Sequence, residues 1–191
     1  KHEIFLLFFL LNTDLIFSFM SQTLKSIRII KDFPKKGISF YDISTILSNP
    51  SEFYMVVNKM SKEVQKINAD TIVGIDSRGF IFASAVAYKL KKKLVMIRKK
   101  GKLPGKTFSI KYNLEYGSSQ LEMQKDMIIK KDKVVIIDDI FATSGTMKAS
   151  INLIKRSKAS IKGIIVLLEL SFLNGRSKIK ENLISLEKVN I

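Results

Sequence analysis

Between residues 52 and 68 the apolar side chains Phe53, Val56, Val57, Met60, Val64 and Ile67 recur at helical intervals and predict a helix with one apolar stripe. Residues 21–31 carry Leu24, Ile27 and Ile30 at the same spacing and predict a short amphipathic helix, ended by FPKKG. Residues 71–75, 94–98, 133–138 and 161–170 are compact apolar runs of strand type. Residues 79–90 are small and apolar, which suits a helix packed on a sheet, and 146–158 form a helix with Met147, Ile151 and Ile154 inward. Strands alternating with helices predict an α/β domain built on a parallel sheet. Residues 99–124 interrupt the alternation with Gly101, Pro104, Gly105 and Gly117 among polar residues, and are read as a long excursion, a hairpin and candidate lid. There is no internal repeat and no low-complexity linker.

The start of the chain does not fit this pattern. The apolar run IFLLFFLL (4–11) is broken by Asn12, Thr13 and Asp14, well short of the ~20 apolar residues a membrane-spanning helix needs. Glu3 and the lack of a small-x-small cleavage site argue against a signal peptide. Met20 opens ordinary sequence, so residues 1–19 are expected to be a non-native extension, with a targeting segment as the alternative. Residues 20–191 are expected to form a single domain.

Composition narrows the chemistry. Hydrophobic residues at 46% and charged residues at 26% exclude global disorder. The chain of 191 residues has no Cys, which excludes disulfides, thiolate metal sites and Cys nucleophiles. Its one His, His2, leaves no room for a His-based triad, so acid–base work falls to carboxylates, lysines or tyrosines. The net charge of +16 comes from 28 Lys and 5 Arg against 17 acids. Such a field attracts polyanions, whether nucleic acid, anionic membrane or phosphorylated metabolites, although most of these lysines are read as solvated surface.

The segment VVIIDDIFATSGTMKAS (134–150) concentrates the chemistry. An apolar strand ends in Asp138 and Asp139, a loop of small residues follows (Ala142, Thr143, Ser144, Gly145, Thr146), and a helix begins. Parallel sheets bind ligands at the carboxyl ends of their strands. Backbone N–H groups, hydroxyls and the helix's positive end make the loop a phosphate cradle. The acids suit ribose hydroxyls or a hydrated Mg²⁺ beside it. There is no G-x-x-x-x-G-K-[ST] and no G-x-G-x-x-G after a strand, so nucleoside-triphosphate P-loops and dinucleotide fingerprints are excluded. The bland alternative is that the acids cap a turn and TSGT caps a helix.

This segment resembles the phosphoribosyl-diphosphate motif of type I phosphoribosyltransferases. FPKKGISFYDIS (33–44), GIDSRGFIFASAVA (74–87), IRKKGKLPGKTFSIKYNLEYG (97–117) and LLELSFLNGR (167–176) narrow the resemblance to the adenine phosphoribosyltransferase family, over residues 22–187. The resemblance implies an α/β fold: a parallel sheet with flanking helices, a small hood at about 20–48 and a flexible loop at about 99–124. It implies transfer of a phosphoribosyl group to adenine, giving AMP and pyrophosphate, with Mg²⁺ as cofactor. It puts the ribose on Asp138 and Asp139, the 5-phosphate on Ala142, Thr143, Ser144, Gly145 and Thr146, and pyrophosphate on Ser77, Arg78, Arg98, Lys99 and Lys102. It puts the base on Ser39, Phe40 and Tyr41, and makes Glu115 the catalytic acid–base group. Metal is held through substrate near Asp138 and Asp139, not by a protein cage. The resemblance implies a homodimer, because the family places its basic loop over a neighbour's site, and a cytoplasmic enzyme with no nucleic acid or membrane partner.

Three positions depart from the family pattern: Tyr41 for Arg, Asp76 for Glu and Ser144 for Gly. Ser144 suits its turn only if the position does not demand positive φ. Two other readings stand beside this one. One is a phosphoribosyltransferase for another base. The other is a non-catalytic sensor of phosphoribosyl diphosphate that binds DNA, against which residues 1–32 are too short and apolar for a winged helix.

Overall fold

A computed structural model describes residues 26–114 and 117–190. The expected extension 1–19 and the expected catalytic residue Glu115 lie outside the described residues. The chain separates into two compact units, 1–55 and 56–191.

In the first unit, β1 (Arg28–Ile30) pairs antiparallel with β2 (Phe40–Asp42), Arg28 opposite Asp42. The helix expected over 21–31 therefore gives way to a strand at Arg28: adjacent β-branched Ile29 and Ile30 pair with Tyr41 and Phe40 instead of continuing a helical stripe. Between the strands Gly37 N–H donates to Asp32 at 2.6 Å, and the Phe33 ring meets Phe40 edge-on at 5.2 Å. The Arg28 guanidinium binds the Asp42 carboxylate, and the Ser44 N–H donates to the same carboxylate at 2.9 Å. These contacts pull the Asp42 pKa down to about 2 and open the short helix α1 (Ser44–Leu47). Helix α2 (Pro50–Lys66) starts with Pro in its first turn, where no N–H partner is needed, and Asn49 accepts from Ser51 and Glu52 N–H at 3.1 and 3.3 Å.

The second unit is built on a seven-stranded sheet. Its strands are β3 (Thr71–Ile75), β4 (Lys93–Lys99), β5 (Thr107–Leu114), β6 (Gly117–Gln124), β7 (Lys133–Phe141), β8 (Ser160–Leu170) and β9 (Leu183–Val189), in the order β5-β6-β4-β3-β7-β8-β9. From β4 to β9 the pairs are parallel; β5 and β6 are antiparallel. Helices α3 (Gly79–Leu90) and α4 (Gly145–Arg156) connect and cover it. All five residues of β3 are buried, as a parallel strand covered on both faces requires. Val73, Ile75, Ile97, Ile136, Ile154 and Val166 share one core.

The 99–124 excursion is a hairpin, as expected, and it extends the sheet, Arg98 pairing with Glu122, so that Phe108, Ile110 and Tyr112 pack on the core. One strand lies beyond those the sequence pattern marked: β9 pairs parallel beside β8. Strand β3 has β4, its successor, on one side and β7 on the other, which makes the carboxyl ends of β3 and β7 the topological switch point. Among the described residues no helix is long and apolar enough to cross a membrane.

Candidate active site

The site forms because β7 outruns β3. The two stay in register as far as Gly74 beside Ile137, after which β3 turns away and β7 continues beside β8 alone. Asp138 and Asp139 stand at this overhang. Opposite them lies the β3–α3 turn, whose Asp76–Ser77 peptide is cis. Together with the loop after β7 they enclose a cavity of about 370 Å³, lined by Asp76, Ser77 and Arg78 on one side and by residues 138–147 on the other. Gly79 closes the two sides on each other: a Cβ there would lie 2.7 Å from Asp138 Oδ1 and 3.0 Å from the Ile137 carbonyl, so α3 starts against β7 only with glycine.

The electrostatics follow from crowding. Burial and the neighbouring Asp139 push the Asp138 carboxyl well above the usual range. Burial also raises Asp139, against the pull of Arg78, whose Nε lies 2.8 Å from Asp139 Oδ2. Asp138 Oδ1 accepts the Asp139 N–H at 2.9 Å. The pair thus resists holding two negative charges at once, and donors from a ligand would favour the charged form.

The loop takes a conformation that the sequence reading left conditional. Ser144 has φ +80° and ψ −8°, so the position does demand positive φ and serine occupies it. Its carbonyl accepts the Lys148 N–H at 2.8 Å, opening α4, whose first turn holds no acid. The amide-rich end of α4 therefore faces the cavity with no acid in its own first turn to offset it. The Thr146 hydroxyl donates to Tyr112 Oη at 3.4 Å, which links the loop to β5.

Of the expected site residues, Ser77, Arg78, Asp138, Asp139, Ala142, Thr143, Ser144, Gly145 and Thr146 come together around one cavity. Arg98 reaches its edge through Asp76, with Nε 3.3 Å from Oδ2, and its Nη1 donates to the Lys102 carbonyl at 3.2 Å. The Lys99 N–H also approaches Asp76, at 3.4 Å, but the side chains of Lys99 and Lys102 are not in the lining. Ser39, Phe40 and Tyr41 belong to the first unit, where Ser39 is exposed, Phe40 half-buried and Tyr41 buried. Sequence reasoning missed Asp76 as the partner of Arg98, and Tyr112. For Tyr112 the signal was the period-two alternation of Phe108, Ile110 and Tyr112, which marks a strand with one buried face.

Among the described residues no group of three or more acids or histidines could hold a metal ion. Two adjacent carboxylates at the mouth of a phosphate cradle fit Mg²⁺ carried in by ligand oxygens and water, the cation's preferred mode.

A parallel sheet with an acid-ended strand feeding a small-residue loop and a helix start, all at its switch point, defines an α/β protein with a cradle suited to a phosphorylated ligand. The model of the phosphoribosyl transferase domain matches residues 42–187, and the chain belongs to that family. It is 50% identical over 169 residues to the adenine phosphoribosyltransferase of Mycoplasma mobile, covering 88% of this chain and 98% of the relative. Among solved structures it is similar to the adenine phosphoribosyltransferase of Thermoanaerobacter pseudethanolicus, with TM-score 0.86, 40% identity and coverage of 89% and 99% of the two chains. It is also similar to the Saccharomyces cerevisiae enzyme, solved with adenine and an imino-altritol bisphosphate, with TM-score 0.85, 35% identity and coverage of 88% and 98%.

Proposed function

We propose that this chain is an adenine phosphoribosyltransferase, moving the 5-phosphoribosyl group of phosphoribosyl diphosphate onto adenine with release of AMP and pyrophosphate. The observation that carries the reading is the convergence of Asp138, Asp139 and the 142–146 loop with Ser77 and Arg78 around one cavity. The bond from the ribose anomeric carbon to pyrophosphate oxygen breaks, adenine N9 bonds to that carbon, and N9 loses its proton.

The loop's amides and hydroxyls hold the 5-phosphate. Asp138 and Asp139 accept the ribose hydroxyls and stabilise positive charge developing on the ring. Ser77 and Arg78 receive the departing pyrophosphate, joined by Arg98, Lys99 and Lys102 once Arg98 leaves Asp76. A planar guanidinium suits that role better than an ammonium. Mg²⁺ bound with the substrate would neutralise charge on the leaving group. Ser39, Phe40 and Tyr41 take the base, and Glu115 takes the N9 proton. Closure of the 99–124 segment keeps water from competing as nucleophile. The same reading makes the enzyme a cytoplasmic homodimer.

A panel of adenine, hypoxanthine, guanine and uracil, each offered with phosphoribosyl diphosphate and Mg²⁺, tests it. Adenine should be the preferred acceptor, with stoichiometric AMP and pyrophosphate. Preference for another base would overturn the base assignment, and no transfer to any base would overturn the enzyme.

A further inference from the structure

We propose that Glu169 and Arg176 are positioning residues for the phosphate loop, acting through Gly175. The proposal rests on the reading of residues 142–146 as the loop that takes the 5-phosphate.

A closed circuit of contacts supports it. Strands β7 and β8 stay paired to the end of β7, with Phe141 beside Glu169, so the last residue before the loop fixes where Glu169 stands. Glu169 is 3% exposed, and its two oxygens accept from Arg176 Nε at 2.8 Å and Nη2 at 2.6 Å, a bidentate fork. Arg176 Nη1 donates to the Leu183 carbonyl at 2.8 Å, Nη2 to Ser185 Oγ at 3.0 Å, and the Ser185 hydroxyl donates to Glu169. Arg176 is thereby tied to β8 and β9 together.

The residue before it, Gly175, rests on the loop. A methyl group at Gly175 would overlap the Ala142 carbonyl oxygen, and would come 3.1 Å from the Ala142 carbonyl carbon and 2.9 Å from the Phe141 ring. The circuit thus runs from Phe141 to Ala142, across to Gly175, along to Arg176, and back through Glu169 to Phe141. Its consequence is local and physical. The Ala142 carbonyl and the Thr143 N–H belong to one rigid peptide plane. A floor under the carbonyl therefore aims the N–H, before any phosphate arrives. Arg176 holds the Glu169 carboxyl below its usual range, so the clamp stays charged at neutral pH. Lysine in place of Arg176 would keep the charge and lose the fork and the directed contacts to β9.

The test compares the full-length enzyme with Arg176→Lys, Gly175→Ala and Thr143→Ala. It reads KM for each substrate, kcat and Tm, at a temperature where circular dichroism shows each variant folded. Arg176→Lys and Gly175→Ala should raise KM for phosphoribosyl diphosphate about tenfold while KM for adenine stays within about twofold. A merely structural clamp would lower Tm, and kcat with the active fraction, leaving both KM values in place; that result overturns the proposal. Thr143→Ala separates the two readings. If it weakens phosphoribosyl diphosphate and the clamp variants do not, the loop stands and the clamp falls. If neither it nor the clamp variants change KM for phosphoribosyl diphosphate, the loop assignment falls and the clamp with it. Should Arg176→Lys not fold, Ser185→Ala keeps the ion pair and removes its brace; it should shift the same KM about threefold, and no shift there overturns the proposal.

Discussion

Ser144 holds a left-handed backbone, at φ +80°, in the middle of the phosphate loop. That conformation costs a non-glycine residue about 1–2 kcal/mol, whereas glycine adopts it freely but gives up about 0.5–1 kcal/mol of chain entropy. The first term is the larger, so Ser144→Gly should stabilise the protein by about 0.5–1 kcal/mol, a rise of about 1–4 °C in Tm for a chain of this size. A calorimetric Tm unchanged or lower would mean that the serine hydroxyl returns more than its backbone costs. Ser144→Val should destabilise, since a β-branched residue is least suited to that region. Glu115 offers a second single-residue test. As the group that takes the N9 proton inside a closed lid, it would act on the transition state alone. Glu115→Gln should then lower kcat by about 10²–10⁴ with little change in KM. Equal kcat would remove Glu115 from the mechanism. At this scale the acids and the loop were legible in the sequence because they lie within a single run, 134–150. The pairing of Arg98 with Asp76 and that of Thr146 with Tyr112 span 22 and 34 residues, and only the fold brings those partners together.

Elements were legible where one period ran uninterrupted. Strand β3 and helix α3 fall where the pattern put them: every residue of the strand is buried, and the helix buries Gly79, Phe82, Ala83, Val86 and Ala87 along one face. Strand β9 was missed because LISLEKV buries only Leu183 and Glu187, and one of the two is charged. That acid now makes its own prediction. Glu187 Oε1 is buried with no hydrogen-bond partner among the described residues, and Lys59 Nζ stands 4.0 Å away. Burial raises the carboxyl's pKa, and the Lys59 charge offsets this only in part. The ionised form therefore opposes folding. At low pH the group is protonated in both states and costs nothing. As pH rises past the ordinary glutamate value, the unfolded chain ionises first, and stability falls until the raised folded pKa is passed. Glu187→Gln lacks this loss. Its Tm should exceed that of the wild type at pH 7, and the gap should close by about pH 4. A gap of the same size at both pH values would assign the effect to packing, not to titration.

Net charge needs no fold to be read, yet what it does depends on where the site lies. The chain carries +16 with a sequence pI near 9.9, and the 142–146 loop presents a helix start and no first-turn acid to the cavity. The two proposed substrates respond to such a field differently. Phosphoribosyl diphosphate carries charge at both ends, on a phosphate and a diphosphate, whereas adenine is neutral near pH 7. Long-range attraction raises the encounter rate of the first and leaves the second untouched. Salt shortens the reach of that attraction, from about 30 Å at 0.01 M to about 10 Å at 0.1 M and about 3 Å at 1 M. With free Mg²⁺ held constant, kcat/KM for phosphoribosyl diphosphate should therefore fall about tenfold between 0.01 and 0.5 M KCl. The value for adenine, measured with the other substrate saturating, should stay within about twofold. A parallel fall in both would place the effect of salt on the fold or the chemical step. No fall in either would mean that the lysines form a solvated coat whose field does not reach the cavity, and that arrival of the sugar phosphate is governed by the loop's own amides and by Arg78.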